Sequence, residues 1–200
     1  MDNTIEYYNK NAEIYCEKTL SGDFEETYTK FLKYVPKNAY ILDFGCGSGR
    51  DSKYFIDKGY KVKAIDGSSK MCEFASKYLN QTVDCMKFEE LDDINVYDAI
   101  WANASILHVK SDELPNILSK MFKAVKYNGI IYASFQFGDG IEIREERYFN
   151  HMTKDKMEDI LSKINCKFCL VEYFETISST KREHKATWVN FIIKKCINKI

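Results

Sequence analysis

Tyr40-Ile-Leu-Asp-Phe-Gly-Cys-Gly-Ser-Gly-Arg-Asp51 is the stretch on which the fold turns. A short apolar run, Tyr40 to Leu42, ends in an acid, Asp43, and three glycines follow at alternate positions, Gly45, Gly47 and Gly49. The run suits a buried strand. The glycines suit a tight strand-to-helix turn at which backbone comes very close to a ligand. A second strand-like run, Tyr60-Lys-Val-Lys-Ala-Ile-Asp66, also ends in an acid. Asp66 lies about 20 residues beyond the glycines, the separation expected of a carboxylate that grips a ribose from the neighbouring strand.

Working outward, residues 3–34 predict two helices. Tyr7, Tyr8, Ala12 and Tyr15 recur near helical spacing, Phe24, Tyr28, Phe31 and Leu32 do so again, and Ser21-Gly22-Asp23 breaks between them. Downstream, strands are expected over 40–44, 61–65, 82–85, 97–102 and 130–135, with helices over 48–58, 68–79 and 112–125 between them. Pro115 falls in the first turn of the last helix, where it is tolerated, and Asn128-Gly129 is expected to end it. This alternation predicts a mostly parallel sheet with helices on both faces. Beyond residue 136 the rhythm changes. Residues 137–150 read as a polar loop holding Gly138-Asp-Gly140, and a helix over 153–163 follows. Two long strand-like segments, 166–175 and 186–194, are joined by Ser178-Ser-Thr-Lys-Arg-Glu and predict an antiparallel hairpin.

Composition narrows the class. Two hundred residues suit one domain, and 45% hydrophobic with 30% charged residues is a globular balance. A net charge of −1 argues against a nucleic-acid-binding surface. No early segment has the apolar core of a signal peptide and no run is long enough to span a membrane, so a cytoplasmic chain without a membrane partner is expected. Seven cysteines, an odd number scattered through apparent core segments, read as reduced thiols. Cys166 and Cys169 form one C-x-x-C without a second pair. On a strand their sulfurs would face opposite ways, so no metal is expected.

The glycine spacing separates two cofactor classes. A dinucleotide fingerprint, G-x-G-x-x-G, begun at Gly45 needs glycine at position 50, where Arg50 stands. The order found, D-x-G-x-G-x-G from Asp43, resembles the first motif of class I S-adenosylmethionine-dependent methyltransferases. That resemblance implies an α/β, Rossmann-like, doubly wound sheet of seven mostly parallel strands with a C-terminal antiparallel hairpin. It implies a single domain over residues 1–200, with a helical lid over 1–36 and an acceptor-site loop over 137–150. It also implies S-adenosylmethionine as cofactor and methyl transfer by direct displacement to a small-molecule acceptor, in a monomer or homodimer.

The resemblance distributes the cofactor contacts as well. Gly45, Cys46, Gly47 and Gly49 pack on the amino-acid end. Asp43 orders the turn or meets the cofactor's amino group. Asp66, with Gly67 after it, takes the ribose hydroxyls, the competing reading being a helix cap. Met71 covers the adenine or packs in the core. Aligning through Leu91 puts Lys87 and Phe88 beside the adenine, although Lys87 replaces the family's usual acid. Asn103 and Ala104 meet the methionine portion, and Tyr15 its carboxylate. Asn103-Ala-Ser-Ile106 departs from the N-P-P-[YF] of enzymes that methylate nucleic-acid bases or glutamine, which favours a small molecule.

For the acceptor side, His108 is a candidate general base, set against a hydrogen-bonded structural role. Arg147 is a candidate for gripping a carboxylate or phosphate, and Tyr148 and Trp188 for the same pocket, against a solvated loop and plain packing. A nucleotide-dependent oxidoreductase, a non-catalytic cofactor-binding module and aminopropyl transfer are the competing functions.

Overall fold

The computed structural model describes residues 2–178 and 186–197. The chain opens with α1 (Asp2–Leu20) and α2 (Glu25–Leu32) and continues through β1 (Tyr40–Phe44), α3 (Arg50–Asp57), β2 (Lys61–Asp66), α4 (Ser69–Leu79) and β3 (Asp84–Cys85). It returns through β4 (Tyr97–Ala102), α5 (Leu114–Ala124) and β5 (Val125–Gln136). A hairpin, β6 (Gly140–Arg144) and β7 (Arg147–His151), precedes α6 (Lys154–Ser162), β8 (Phe168–Ile177) and β9 (Thr187–Lys195). The main sheet has seven strands in the order β3-β2-β1-β4-β5-β9-β8. Neighbours from β3 to β5 are parallel, and β9 runs antiparallel to both β5 and β8. The strand order reverses between β1 and β4, which is where open parallel sheets place their ligands.

Alternation along each strand supplies the two faces. Ile41 enters a cluster with Phe31, Phe55 and Trp101, while its neighbour Leu42 enters one with Ile100, Leu118 and Phe191. Trp101 stacks on Tyr132 with ring centroids 3.9 Å apart. Truncating such a buried aromatic costs about 3–5 kcal/mol. Caps fix the helix starts nearest the site: the Ser68 hydroxyl accepts from Met71 N at 3.2 Å and opens α4, and the Thr153 hydroxyl accepts from Lys156 N at 3.2 Å and opens α6.

Three expectations are corrected. Residues 137–150 are not a loop: β6 and β7 pair antiparallel from Gly140↔His151 to Arg144↔Arg147. The two-residue turn between them is Glu145-Glu146, both at positive φ (50° and 63°), and lacks the Asn-Gly or Asp-Gly signal of such turns. Asn128-Gly129 does not end α5. The helix stops at Ala124 because Val125 turns extended (φ −75°, ψ 141°) and pairs with Tyr97, leaving Asn128 at φ 64° inside β5. Cys166 precedes β8 rather than lying on it. The Cys196 sulfur lies 3.5 Å from that of Cys169. The connection expected over 178–183 lies outside the described residues from 179 onward, but the pairing it implied is present, closing at Ile177↔Thr187. Among the described residues, no helix is long and apolar enough to cross a membrane.

Candidate active site

Beyond the carboxyl ends of β1, β2, β4 and β5 lies a cavity of about 600 Å³, inside the range of small-molecule sites. Its floor is the glycine turn. Gly45 N and Cys46 N both donate to the carbonyl of Ile65 (3.0 and 2.9 Å), folding the turn over the end of β2. Gly45 has φ +88°, and a Cβ there would stand 2.5 Å from Ser105 Cβ, so no side chain fits. Gly47 N donates to Asp66 Oδ2 at 2.9 Å, and Ser68 N donates to Oδ1 at 2.8 Å. Asp66 is thus fixed by two backbone donors while each oxygen keeps a further lone pair. Burial raises its pKa and those two bonds oppose the rise.

Gly49 and Asp43 do not reach the cavity. Gly49 (φ +81°) begins α3 and lets it pack on α4: a Cβ there would sit 3.2 Å from Leu79 and 3.3 Å from Ala75. Asp43 is buried beneath the turn, where its Oδ2 accepts from Ser52 Oγ at 2.6 Å. Burial, and then the nearby Asp51 carboxylate, push Asp43 well above the usual carboxylate range. It therefore orders the turn and does not line the site.

Asp51 was not singled out from the sequence, and it organises the far end. Its Oδ1 accepts from Arg50 Nε (2.6 Å) and the Tyr28 hydroxyl (2.5 Å), and its Oδ2 from Trp101 Nε1 (2.8 Å) and Asn103 Nδ2 (3.0 Å). Burial alone would raise Asp51, but Arg50 and the neutral donors outweigh it and hold the carboxyl below its ordinary value. The network continues from Asn103 Oδ1, which accepts from Ser134 Oγ at 2.9 Å, to Ser134 Oγ, which accepts from Ala104 N at 2.8 Å. Asn103 and Ala104 are both held at the cavity edge in this way.

Ile5, Gly67, Met71 and Phe88 form an apolar wall beside Asp66. Met71 Sδ accepts from Cys16 Sγ at 3.4 Å, tying α4 to α1. Lys87 is corrected: it is not part of the wall, and its N–H donates to Glu90 Oε2 (2.6 Å) at the start of a 3₁₀ turn that swings Phe88 inward.

Helix α1 and the β6–β7 hairpin complete the enclosure. Tyr8, Tyr15, His108, Arg147 and Trp188 all line the cavity. His108 Nδ1 is 2.6 Å from the Tyr148 carbonyl, which only accepts, so Nδ1 carries the hydrogen. Nε2 then accepts from the Tyr8 hydroxyl at 2.9 Å. Burial pulls the His108 pKa down to about 4; the Tyr148 carbonyl opposes this, and Arg147 and Arg144 add to it. Tyr148 is corrected as well: its hydroxyl lies 3.2 Å from Ser111 N and Ser111 Oγ, away from the cavity, and it serves the site through its backbone carbonyl. Alternation along β7 explains this, because Arg147 and Phe149 face one way and Tyr148 the other.

Residues 41–129 match a methyltransferase domain family. An uncharacterised methyltransferase of Staphylococcus carnosus is 24% identical over 195 residues, covering 84% of this chain and 93% of that protein. The solved 1,6-didemethyltoxoflavin-N1-methyltransferase of Burkholderia thailandensis superposes with a TM-score of 0.73 at 16% identity, over 96% of this chain and 85% of that one. Residues 41–129 therefore carry a methyltransferase domain, and the chain shares the fold of that solved enzyme. A malonyl-[acyl-carrier protein] O-methyltransferase of Salmonella typhimurium is 29% identical over 99 residues, 46% of this chain, and the match spans only 37% of that protein's length.

In the structure, Gly45, Cys46, Gly47, Asp66, Gly67, Met71, Phe88, Asn103, Ala104 and Tyr15 converge on one cavity, as do His108, Arg147 and Trp188. Asp43, Gly49, Lys87 and Tyr148 fall outside it. The sequence reading missed Asp51, Ser134, Tyr132 and Asn190. No local motif marks them, and their roles come from partners brought together by the fold: Trp101 and Asn103 for Asp51, Ala104 and Asn103 for Ser134, and each other for Tyr132 and Asn190.

Proposed function

We propose that this protein transfers a methyl group from S-adenosylmethionine to a small-molecule acceptor within the cavity. The observation that carries this reading is Asp66, fixed by Gly47 N and Ser68 N beside a turn where Gly45 leaves no room for a side chain. The residues fit the cofactor. Asp66 has lone pairs for two ribose hydroxyls, Met71, Phe88 and Ile5 offer an apolar surface for adenine, and the Gly45–Gly47 backbone with Asn103 and Tyr15 borders the amino-acid end. When bound, the cofactor supplies a methyl group on a sulfonium, already a good leaving group.

The protein's task is then alignment and exclusion of water, worth up to ~7–11 kcal/mol in favourable cases. Tyr8 faces the acceptor, and its hydroxyl proton points at His108 Nε2. An acceptor proton handed to the Tyr8 oxygen would pass Tyr8's own proton to His108. A histidine this weakly basic pulls only gently, which suits an acceptor that is already nucleophilic. We place the enzyme in the cytoplasm, as a monomer or homodimer, in one domain with residues 1–36 as the lid, and with neither nucleic acid nor membrane as partner.

Calorimetric titration with S-adenosylmethionine, S-adenosylhomocysteine and NAD tests the reading. Micromolar binding of both adenosyl ligands, lost in Asp66→Ala, is the expected result. Preference for NAD would overturn it. A second reading, a cofactor-binding module without catalysis, draws on His108 having both nitrogens occupied. Conversion of the cofactor to S-adenosylhomocysteine with any acceptor would exclude that reading.

A further inference from the structure

Among the described residues, two arginines line the cavity, Arg50 and Arg147, and they are matched very differently. Arg50 lies against the buried Asp51 carboxylate, donates from Nη1 to the Thr19 carbonyl at 3.0 Å, and covers the Phe24 ring. Arg147 is 6% exposed, yet its acidic partner Glu145 has a side chain 61% exposed. Nη2 of Arg147 donates to Glu145 Oε2, while its buried Nε has no hydrogen-bond partner among the described residues. The guanidinium packs on Tyr7 (4.2 Å to the ring centroid), Phe149 (5.3 Å) and Tyr8 (5.8 Å). A buried cation with unused donor capacity is costly unless an anion completes it.

The other lining acids do not complete it. Asp51 is filled by its four donors, and Asp66 is held by two backbone N–H groups. Asp23, Glu25, Glu26 and Glu175 are exposed to solvent. Glu145 itself is delivered by a turn in which it and Glu146 both stand at positive φ, 50° and 63°. Non-glycine residues hold that conformation at a cost of order 1 kcal/mol each. Glu145 also accepts from the Tyr7 hydroxyl at 3.1 Å, so one exposed carboxylate bridges the lid helix and the hairpin through Arg147. It shows the chemistry that fits the guanidinium edge: a planar oxyanion.

We propose that the acceptor is a carboxylate on an apolar or aromatic frame, bound by Arg147 inside the cavity in competition with Glu145. The frame meets the rings of Tyr8, Phe149 and Trp188, and the carboxylate takes the guanidinium. This inference rests on the methyltransferase reading for its meaning as an acceptor site, while the anion site itself can be tested apart from that reading.

The test is calorimetric titration with benzoate, phenyl phosphate and benzamide, with and without saturating S-adenosylhomocysteine. Benzoate is expected to bind at least about tenfold tighter than benzamide, a difference of about 1.4 kcal/mol. Arg147→Gln should erase that preference while S-adenosylhomocysteine affinity changes less than about threefold, and Arg147→Lys should keep part of it. Glu145→Gln, at an exposed position that leaves the core intact, should strengthen benzoate severalfold by removing the competitor. Equal binding of benzoate and benzamide, a preference that survives Arg147→Gln, or no gain in Glu145→Gln overturns the proposal. Phenyl phosphate binding tighter than benzoate overturns the carboxylate in favour of a phosphate. Loss of S-adenosylhomocysteine binding in Arg147→Gln alone would return Arg147 to the cofactor and overturn it too. Failure of the unsubstituted protein to bind S-adenosylhomocysteine, with the benzoate preference intact, would sink the methyltransferase reading and leave the anion site standing.

Discussion

The floor of the cavity comes from one continuous stretch, Gly45 to Met71, and most of its contacts are made by backbone: Gly45 N and Cys46 N on Ile65, and Gly47 N and Ser68 N on Asp66. The roof draws Tyr8, His108, Arg147 and Trp188 from four distant segments, and side chains make its contacts, such as Tyr8 to His108 across 100 positions. The floor tolerates no added atom at Gly45, where a Cβ collides with the buried side chains of Ser105 and Phe88. A roof of side chains can be rebuilt residue by residue on the same scaffold. On the proposed reading, the floor that would hold the cofactor is the fixed half of this site and the roof that would meet the acceptor the adjustable half.

The most severe test of that contrast is Gly45→Ala. The new Cβ meets Ser105 Cβ at 2.5 Å and Phe88 Cζ at 3.0 Å, and φ is +88°. Left-handed strain of about 1–2 kcal/mol and overpacking of about 1–3 kcal/mol act together. Thermal unfolding is expected to shift down by about 5–15 °C, and S-adenosylhomocysteine binding to become undetectable by calorimetry. Gly47→Ala is the control: its Cβ meets nothing within 4 Å, so only the strain of φ +54° remains. Similar losses in the two variants would break the claim that close approach, rather than turn conformation alone, shapes the floor.

Asp66→Asn follows in size. Both carboxylate oxygens accept from backbone N–H groups, and an amide must turn its own NH₂ toward one of them. Hydrogen bonds to charged groups contribute about 1.5–3 kcal/mol each. Affinity for S-adenosylhomocysteine should fall about 10–100-fold, measured by titration, with a smaller loss of stability. Unchanged affinity would show that Asp66 merely caps the turn.

His108 tests the roof. Buried and neutral, it should titrate only near pH 4 in the folded protein, against about 6.5 when unfolded. Between those values the unfolded state binds the extra proton, so the contribution of this group to stability is complete above about pH 6.5 and is lost as pH falls toward 4. The total is about 3 kcal/mol. In urea titrations at pH 7 and pH 4, the wild type should lose more stability than His108→Gln by about that amount. An equal loss in both would mean that His108 keeps about its ordinary pKa in the fold and titrates near neutral pH.

How much of this was legible beforehand follows the same division. The glycine turn, the acid that ends β2 and the mostly parallel seven-stranded sheet with its antiparallel hairpin were readable because a single local segment specifies the turn and alternation of strand and helix specifies the sheet. Residues 137–150 were misread because the β6–β7 turn is Glu145-Glu146, which carries no turn signal, while the glycines at 138 and 140 suggested a loop. Tyr148 was placed in the pocket because the strand that alternates it away from Arg147 was not foreseen. Asp51 was invisible because nothing local marks a carboxylate whose donors include Tyr28, Trp101 and Asn103.

Asp43 gives the smallest expected effect and the finest discrimination. It stands two residues before Gly45, where the sequence allows it either to order the turn or to meet the cofactor's amino group, yet the residue is 1% exposed and its carboxyl is spent on Ser52. Burial and the neighbouring Asp51 carboxylate favour its protonated form, the opposite of what a group meant to attract an ammonium requires. An asparagine has nearly the shape of the neutral acid and can still accept from Ser52 Oγ. Asp43→Asn is therefore expected to leave S-adenosylhomocysteine affinity within about threefold, and to hold or raise stability at pH 8, where the wild type bears the cost of an ionising buried carboxyl. A loss of affinity as large as that of Asp66→Asn would mean that the floor senses charge from beneath the turn, and the contact between cofactor and protein would then extend beyond the residues that line the cavity.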